Sequence, residues 1–352
     1  MSYIDPAGKL LKHLDRIAEI QKGNKLTPPV NVEIDLSNRC SLGCEGCHFA
    51  YTHTRGPLAS LPKPDGTVYT GDLMNTTQIK LILDQLRATG VRSIVWSGGG
   101  EPTLHPDFNE IVNYCPLPQG IYTNGGHIDG ERARLLKEKF TWIYISLDYA
   151  DKESYKKHKK VDAFDRVIES VKRLVDAPGN ATIGLGFLLW EQNWRDFRNM
   201  VSLKDYTGAD YVQFRPMVWY DSQNPGKLIE DTDWMNEMIK ELEHYPNYSD
   251  VIYDLDRFKN YRDWKQHGYK TCWWSRMQTV ITPDARVWTC VNRRGMPDDE
   301  LGNLNDELFV NIWGRHAAKI VDHDCRLMCR GHVPNVALDF LSQHPTGHEL
   351  FV

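Results

Sequence analysis

Long apolar runs are absent from this 352-residue chain: no stretch approaches 18 consecutive apolar residues, which excludes a conventional membrane-spanning helix. Basic charge is not in excess either. Lys and Arg number 42 against 47 Asp and Glu, a formal net charge of −5, and this argues against a nucleic-acid partner, which would ask for a basic face. The one basic cluster, KKHKK from Lys156 to Lys160, reads as a solvated helix face. Internal repeats and low-complexity segments are missing. So is the uninterrupted apolar core of a signal peptide. Near the N-terminus Leu10, Leu11, Leu14, Ile17 and Ile20 recur at helical spacing, with Lys12, Asp15, Arg16 and Glu19 between them. The pattern predicts an amphipathic docking helix within residues 1–29 and a cytoplasmic protein. Cysteine is scarce, with eight residues. An even count would suit a secreted disulfide framework, but a large chain whose thiols are spaced like ligands favours metal.

Three of those thiols fall within CSLGCEGCHFA, as Cys40, Cys44 and Cys47. Three ligands cannot close a tetrahedral zinc site, although His48 next door offers a fourth. Thiolates are also the usual ligands of iron–sulfur clusters, and three of them would leave one iron of a four-iron cube open. A second set, Cys272, Cys290, Cys325 and Cys329, has enough thiols to close a site, again with zinc or a cluster. The eighth, Cys115, precedes Pro116 and the third strand, and reads as a buried small hydrophobe at the opposite edge of the sheet.

From Val30 to Met217 short β-rich runs alternate with helical patterns. The strands are expected at Val30–Leu36, Val91–Trp96, Gly120–Thr123, Trp142–Leu147, Ala181–Leu189 and Ala209–Arg215. Helices are expected near Thr77–Thr89, Asp107–Cys115, Gly130–Phe140, Val161–Ala177 and Asn193–Leu203. Six strands alternating with helices imply a parallel sheet with right-handed crossovers. In such folds the loops after the strands gather at one edge, where sites are built. The cysteine triad follows the first strand, SGGGEP (Ser97–Pro102) the second, Thr123-Asn124-Gly125 the third, and Ser146-Leu147-Asp148 ends the fourth. The expected organisation is a core over 30–220, with residues 48–75 as a lid or binding loop, a bridging segment over 221–270, and a small C-terminal domain over 271–352.

Together these motifs resemble the radical S-adenosylmethionine (SAM) superfamily over nearly the whole stretch from Val30 to Cys329. The resemblance implies an α/β fold, a partial (β/α)6 TIM-like barrel with a small C-terminal auxiliary iron–sulfur domain of the SPASM/Twitch type. It implies a [4Fe–4S] cluster on Cys40, Cys44 and Cys47 whose open iron binds SAM, and reductive cleavage of SAM to a 5′-deoxyadenosyl radical that abstracts hydrogen from substrate. One departure is Gly46, where the family often carries an aromatic residue. By the same resemblance Gly98, Gly99, Gly100 and Glu101 lie against the SAM methionyl group. Thr123 and Asn124 lie near SAM, Ser146 and Asp148 face its ribose or carboxylate, and Gly184 and Gly186 pack against adenine. Lys159 stands where related enzymes place an arginine toward the SAM carboxylate. The C-terminal cysteines would hold a second [4Fe–4S] cluster, an electron acceptor. Their spacing is similar to that of an aminocyclitol-oxidising dehydrogenase of the superfamily. The expected reaction is therefore two-electron oxidation of a small-molecule alcohol, an aminocyclitol or sugar, with a flavodoxin or ferredoxin as reductant. Arg215, at the end of the sixth strand, is expected to anchor substrate or assist its deprotonation. The rivals are a peptide-modifying maturase, against which only 29 residues precede the first strand, a radical epimerase or other redox-neutral enzyme, and a zinc-stabilised binding protein.

Overall fold

A computed structural model describes residues 6–63, 66–217, 233–246, 248–259, 267–321 and 329–343. The β/α alternation is as the pattern predicts. Strand β1 (Asn31–Asp35) is followed by α3 (Thr76–Thr89), β2 (Ser93–Ser97), α4 (Phe108–Tyr114), β3 (Gln119–Thr123) and α5 (Gly130–Lys139). Then come β4 (Phe140–Ser146), α6 (Lys152–Lys159), α7 (Phe164–Asp176), β5 (Thr182–Leu189), α8 (Phe197–Thr207) and β6 (Tyr211–Pro216). Helix α3 starts where Asn75 accepts hydrogen bonds from the Thr77 and Gln78 amides. It ends at Gly90, whose φ of 93° is the left-handed conformation glycine adopts without strain. The helix expected at 161–177 forms as α7, and α6 precedes it, the two separated where Lys160 turns into the left-handed region at φ 61°.

All strand pairs from β1 to β6 are parallel and in sequence order, and β7 (Val251–Tyr253) extends the sheet beyond β6. Helix α9 (Asp233–His244), between these two strands, packs on α10 (Leu255–Lys259), which follows β7. The C-terminal segment does not stand apart. After β8 (Thr271–Cys272), strand β9 (Gln278–Ile281) pairs in parallel with β1, and β10 (Arg286–Trp288) and β11 (Glu300–Asn303) continue the sheet antiparallel. The order is β11-β10-β9-β1-β2-β3-β4-β5-β6-β7, ten strands whose two ends do not pair among the described residues: a partial barrel. Helix α11 (Phe309–Arg315) packs on α3, and β12 (Lys319–Ile320) pairs with β8. Helix α12 (His332–Ser342) closes the described chain.

Strand periodicity separates two interiors. In β1, Val32 and Ile34 are fully buried in the core under the helices, while the alternate residues Glu33 and Asp35 face inside the barrel. The helix-side core is apolar and the barrel side is charged. That division puts the polar chemistry within reach of the loops at the strands' C-terminal edge.

The N-terminal docking helix is corrected to two short helices, α1 (Pro6–Leu10) and α2 (Leu14–Gln21). Leu10, Ile17 and Ile20 are buried as the spacing predicts, but Leu11 and Leu14 are exposed. The chain turns at residues 11–13 because Arg92 bonds His13 Nδ1 at 2.7 Å and pairs with Asp15, fixing the break from outside. No helix among the described residues is long and apolar enough to cross a membrane.

Candidate active site

The triad loop leaves β1 and is clamped on three sides. On one side the insertion runs back along it: Cys40 N–H donates to the Arg55 carbonyl at 3.1 Å, and Thr54 N–H to Asn38 at 3.0 Å. Gly56, at φ 106°, must be glycine here, since a Cβ would stand 1.8 Å from the Cys40 carbonyl oxygen. The insertion is therefore a structural strap, and the Arg39 guanidinium forks onto Asp72 to fasten it. On the second side, Gly100 N–H and Glu101 N–H donate to the Ser37 and Arg39 carbonyls. A Cβ on Gly100 would lie 2.2 Å from the Arg39 carbonyl, so the glycine-rich turn is needed first for packing against the protein's own cysteine loop.

The third side is the basic run. Its face is not solvated throughout, as the charge pattern alone suggested: His158 and Lys159 are buried. The Gly43 and Glu45 amides donate to the Lys159 and His158 carbonyls at 2.8 and 3.1 Å. Glu45 accepts from His158 Nδ1 at 2.7 Å and pairs with Lys160. Lys159 forms a buried ion pair with Asp148. Burial alone would lower the Lys159 pKa, but Asp148 and the Cys44 thiol beside it outweigh that and hold it well above the ordinary value. The group stays charged against Cys44.

Glu101 is the knot between two further loops. One of its oxygens accepts from the Thr103 amide (3.1 Å), the Thr103 hydroxyl (2.6 Å) and the Thr123 hydroxyl (2.6 Å), while the other accepts from the Asn124 amide (2.7 Å). Asn124 spends its side-chain oxygen on the Gly126 amide and keeps a buried Nδ2 without a partner. Asp148 sits at φ 65° and accepts from the Leu188 amide at 2.9 Å.

These groups meet in one cavity of about 650 Å³. Its walls include Cys40, Cys44, Cys47, Gly98, Gly99, Gly100, Glu101, Thr123, Asn124, Ser146, Asp148, Lys159 and Arg215. Gly184 and Gly186 do not line it. They lie under the rings of Tyr211 and Tyr144, each 2.1 Å from where a Cβ would be, so β5 needs glycine to admit its neighbours' tyrosines. Cys115 stays partly buried against the helix-side core, away from the cavity, with its thiol pushed up to about 11 by burial.

The same cavity is lined by Cys272, Cys290 and Cys329. Asn292 links two of them, its amide donating to Cys290 Sγ at 3.4 Å and its Nδ2 to Cys329 Sγ at 3.6 Å, and Gly331 N–H reaches Cys329 Sγ at 3.3 Å. Cys325 lies outside the described residues. One charged cluster seats this half on the core, and a second ties it together internally. Arg294 pairs with Asp35 at 2.5 Å and lies 3.6 Å from Glu33, and Arg330 pairs with Glu33. Burial pushes Asp35 up to about 6 against the pull of Arg294. Arg293 and Lys319 both hold Asp299 at 2.7 Å. None of Asn292, Arg294, Arg330, Glu33 and Asp35 figures among the sequence candidates. Acids two apart in an otherwise apolar strand were the available signal for the last two.

The donor chemistry fits an iron–sulfur cluster. Burial, first among the causes, raises the thiol pKa of Cys40 and Cys44 and pushes Cys47 up to about 12, which makes free thiolates costly and coordinated ones the resolution. Cys40, Cys44 and Cys47 line one cavity, and among the described residues no three His, Cys, Asp or Glu side chains converge to hold a single ion. His53 Nε2 lies 3.7 Å from Cys47 Sγ, and burial holds its imidazole neutral, at about 4.

Residues 34–203 match the radical SAM superfamily. Over 315 residues the chain is 29% identical to the mycofactocin maturase MftC of Mycobacterium tuberculosis, covering 84% of this chain and 73% of that one. It is also 29% identical over 191 residues to a probable GTP 3′,8-cyclase of Saccharolobus solfataricus, covering 53% of this chain and 56% of the cyclase. The structure superposes on SuiB of Streptococcus suis bound to the precursor peptide SuiA with a TM-score of 0.63 at 17% identity, over 89% of this chain and 70% of SuiB. The same fold has been seen in SuiB bound to S-adenosylmethionine. Residues 34–203 form a radical SAM domain, and members of that superfamily use a [4Fe–4S] cluster and SAM.

Proposed function

We propose that this radical SAM enzyme carries out a two-electron oxidation in the chamber between its two cysteine sets. One observation supports the reading above others: Cys40, Cys44 and Cys47 share a single cavity with Cys272, Cys290 and Cys329. Cys40, Cys44 and Cys47 would hold a [4Fe–4S] cluster that, with SAM bound, would supply the hydrogen-abstracting radical, and the C-terminal thiols would hold a second cluster that would accept one electron. Hydrogen-atom abstraction from an alcohol carbon, followed by loss of a proton and one electron, leaves a carbonyl, so the balance closes with that acceptor.

The chain's own groups have separable tasks. Cys40, Cys44 and Cys47 are the ligands of the first cluster, and the three-sided clamp keeps them in place. Glu101, already holding the Thr123 and Asn124 loop, presents its negative charge toward the SAM ammonium. The unspent Asn124 Nδ2 is a donor for a SAM oxygen, and Lys159 is the cation nearest Cys44 for its carboxylate. The amides of Asn292 and Gly331 temper the C-terminal thiolates. The substrate class to try first is a small polar alcohol, an aminocyclitol or sugar. A peptide substrate is the second reading, favoured by the likeness to a maturase over 84% of the chain. The reductant in either case would be a flavodoxin or ferredoxin.

Iron, sulfide and zinc analysis of anaerobically reconstituted protein tests the reading. Wild type should hold two [4Fe–4S] clusters, and the variant with Cys40, Cys44 and Cys47 all replaced by Ala should keep one. Zinc in the C-terminal site would remove the electron acceptor and with it the oxidation.

A further inference from the structure

The chamber does not end at the waist of the barrel. A second cavity of about 1210 Å³ lies below it toward the N-terminal edge of the strands, and Glu33, Tyr122, Trp274, Gln278 and Arg330 line both. Arg215 from β6 and Arg257 from α10 stand at the same waist and also line both.

Five other cations around the chamber have named anions: Lys159 has Asp148, Arg294 and Arg330 have Asp35 and Glu33, and Arg293 and Lys319 have Asp299. Arg215 does not. Among the described residues it makes no ion pair; its guanidinium lies 5.0 Å from the centre of the Tyr144 ring, and its Nε is buried without an acceptor. A buried guanidinium that leans on a tyrosine and on the more distant Asp148 charge, with no ion pair of its own, is costly unless an anion completes it. The neighbour makes matters worse. Burial, and after it the Arg215 charge, bring the Arg257 guanidinium down to about 10, with Cys329 and Asp254 offsetting part of the effect. Arg215 and Arg257, lining one place, present two planar guanidinium forks of the kind that match the paired oxygens of a carboxylate or phosphate.

We propose that Arg215 and Arg257 are the grip for an oxyanion on the substrate, so that the molecule entering this chamber carries a carboxylate or a phosphate. The anion sits at the waist and the reacting carbon above it, toward the cysteine triad. Aromatic walls below, among them Tyr144, Tyr211 and Trp142, leave room for a longer substrate to continue past its anion. This deepens the proposed function, since it rests on the chamber holding substrate, but it does not depend on the reaction being an oxidation.

Calorimetric titration of the anaerobically reconstituted, SAM-loaded protein tests it, with inorganic phosphate and succinate as separate probes. One of the two should bind, and which one binds more tightly tells a phosphorylated substrate from a carboxylated one. Arg215→Met and Arg257→Met should each weaken that binding by at least about tenfold, the value of one charge-assisted hydrogen bond, with SAM affinity unchanged. Arg215→Lys keeps the charge without the fork and should show a smaller loss. It carries the test if the Met variants do not accumulate. The proposal is overturned if neither anion binds, if the variants bind as wild type does, or if Arg215→Met loses SAM affinity and so proves to be a SAM ligand. A substrate that binds through this grip but is turned over without net oxidation would sink the oxidation reading and leave the grip standing.

Discussion

The two cysteine sets are brought together by opposite means. The triad lies within eight residues of one loop, and its surroundings are built to fix that loop: a glycine strap at Gly56, a glycine turn at Gly100, and the buried Lys159–Asp148 pair. The described C-terminal thiols come from β8 (Cys272), from the turn after β10 (Cys290) and from the turn before α12 (Cys329); Asn292 links the last two, and ion pairs tie their segments to β1. Local ligation survives small shifts elsewhere in the fold. Ligation assembled from distant segments depends on the sheet that joins β9 to β1.

The sharpest way to break this comparison is to remove one ligand from each side. Cys44→Ala should abolish reductive SAM cleavage, read as release of 5′-deoxyadenosine under dithionite. Cys290→Ala should retain that cleavage and lose only the oxidised product. If Cys290→Ala also stops SAM cleavage, the division of labour is wrong.

Next in size is Lys159→Met, which strands the buried Asp148 carboxylate beside the triad. Breaking a buried pair this way costs about 3–5 kcal/mol, and the urea midpoint of the anaerobic protein should fall accordingly. Lys159→Arg, which keeps the charge, should recover part of it.

A smaller effect is expected at the strap. The Arg39 fork, helped by Thr54, holds Asp72 down to about 2. A carboxylate held below its ordinary value stabilises the fold above about pH 4 and loses that contribution as the pH falls toward 2. Asp72→Asn should therefore cost about 1–2 kcal/mol at pH 7 after allowance for solvent screening, and nothing near pH 2. Equal losses at both pH values in urea titrations would mean the effect is packing and not charge.

The smallest change is expected from Asn292→Ala, which removes one side-chain donor from Cys329. It should shift the reduction potential of the C-terminal cluster and leave SAM affinity as in wild type, measured by potentiometric titration beside calorimetry. A SAM affinity that moves with it would tie the two halves more tightly than the geometry does.

How much of this was legible in the sequence follows the same divide. The triad, the loop order and the cap of α3 at Asn75 could be read because each is local. The KKHKK run could not be read correctly by charge alone: Lys156 and Lys157 are exposed, while Lys159 is buried by the turn at Lys160 and by Asp148, which arrives from another loop. Leu11 and Leu14 fit the helical period, yet a contact from Arg92 breaks the helix between them. The roles of Gly184 and Gly186 depend on which residues flank them in the sheet, and no spacing along β5 reveals the Tyr144 and Tyr211 rings. Joining of β9 to β1 was hidden for the same reason, since parallel pairing of segments far apart leaves no local signature. Six strands were expected, and strands of the C-terminal segment extend their sheet.

The central claim is that both cysteine sets serve one chamber. Electron paramagnetic resonance of the fully reduced, anaerobically reconstituted protein tests it most directly. Two clusters facing the same cavity should broaden each other's spectra by spin–spin coupling, and the broadening should vanish both in the triad variant and in Cys290→Ala. A wild-type spectrum that is simply the sum of the two variants' spectra would place the clusters in separate sites and contradict the account.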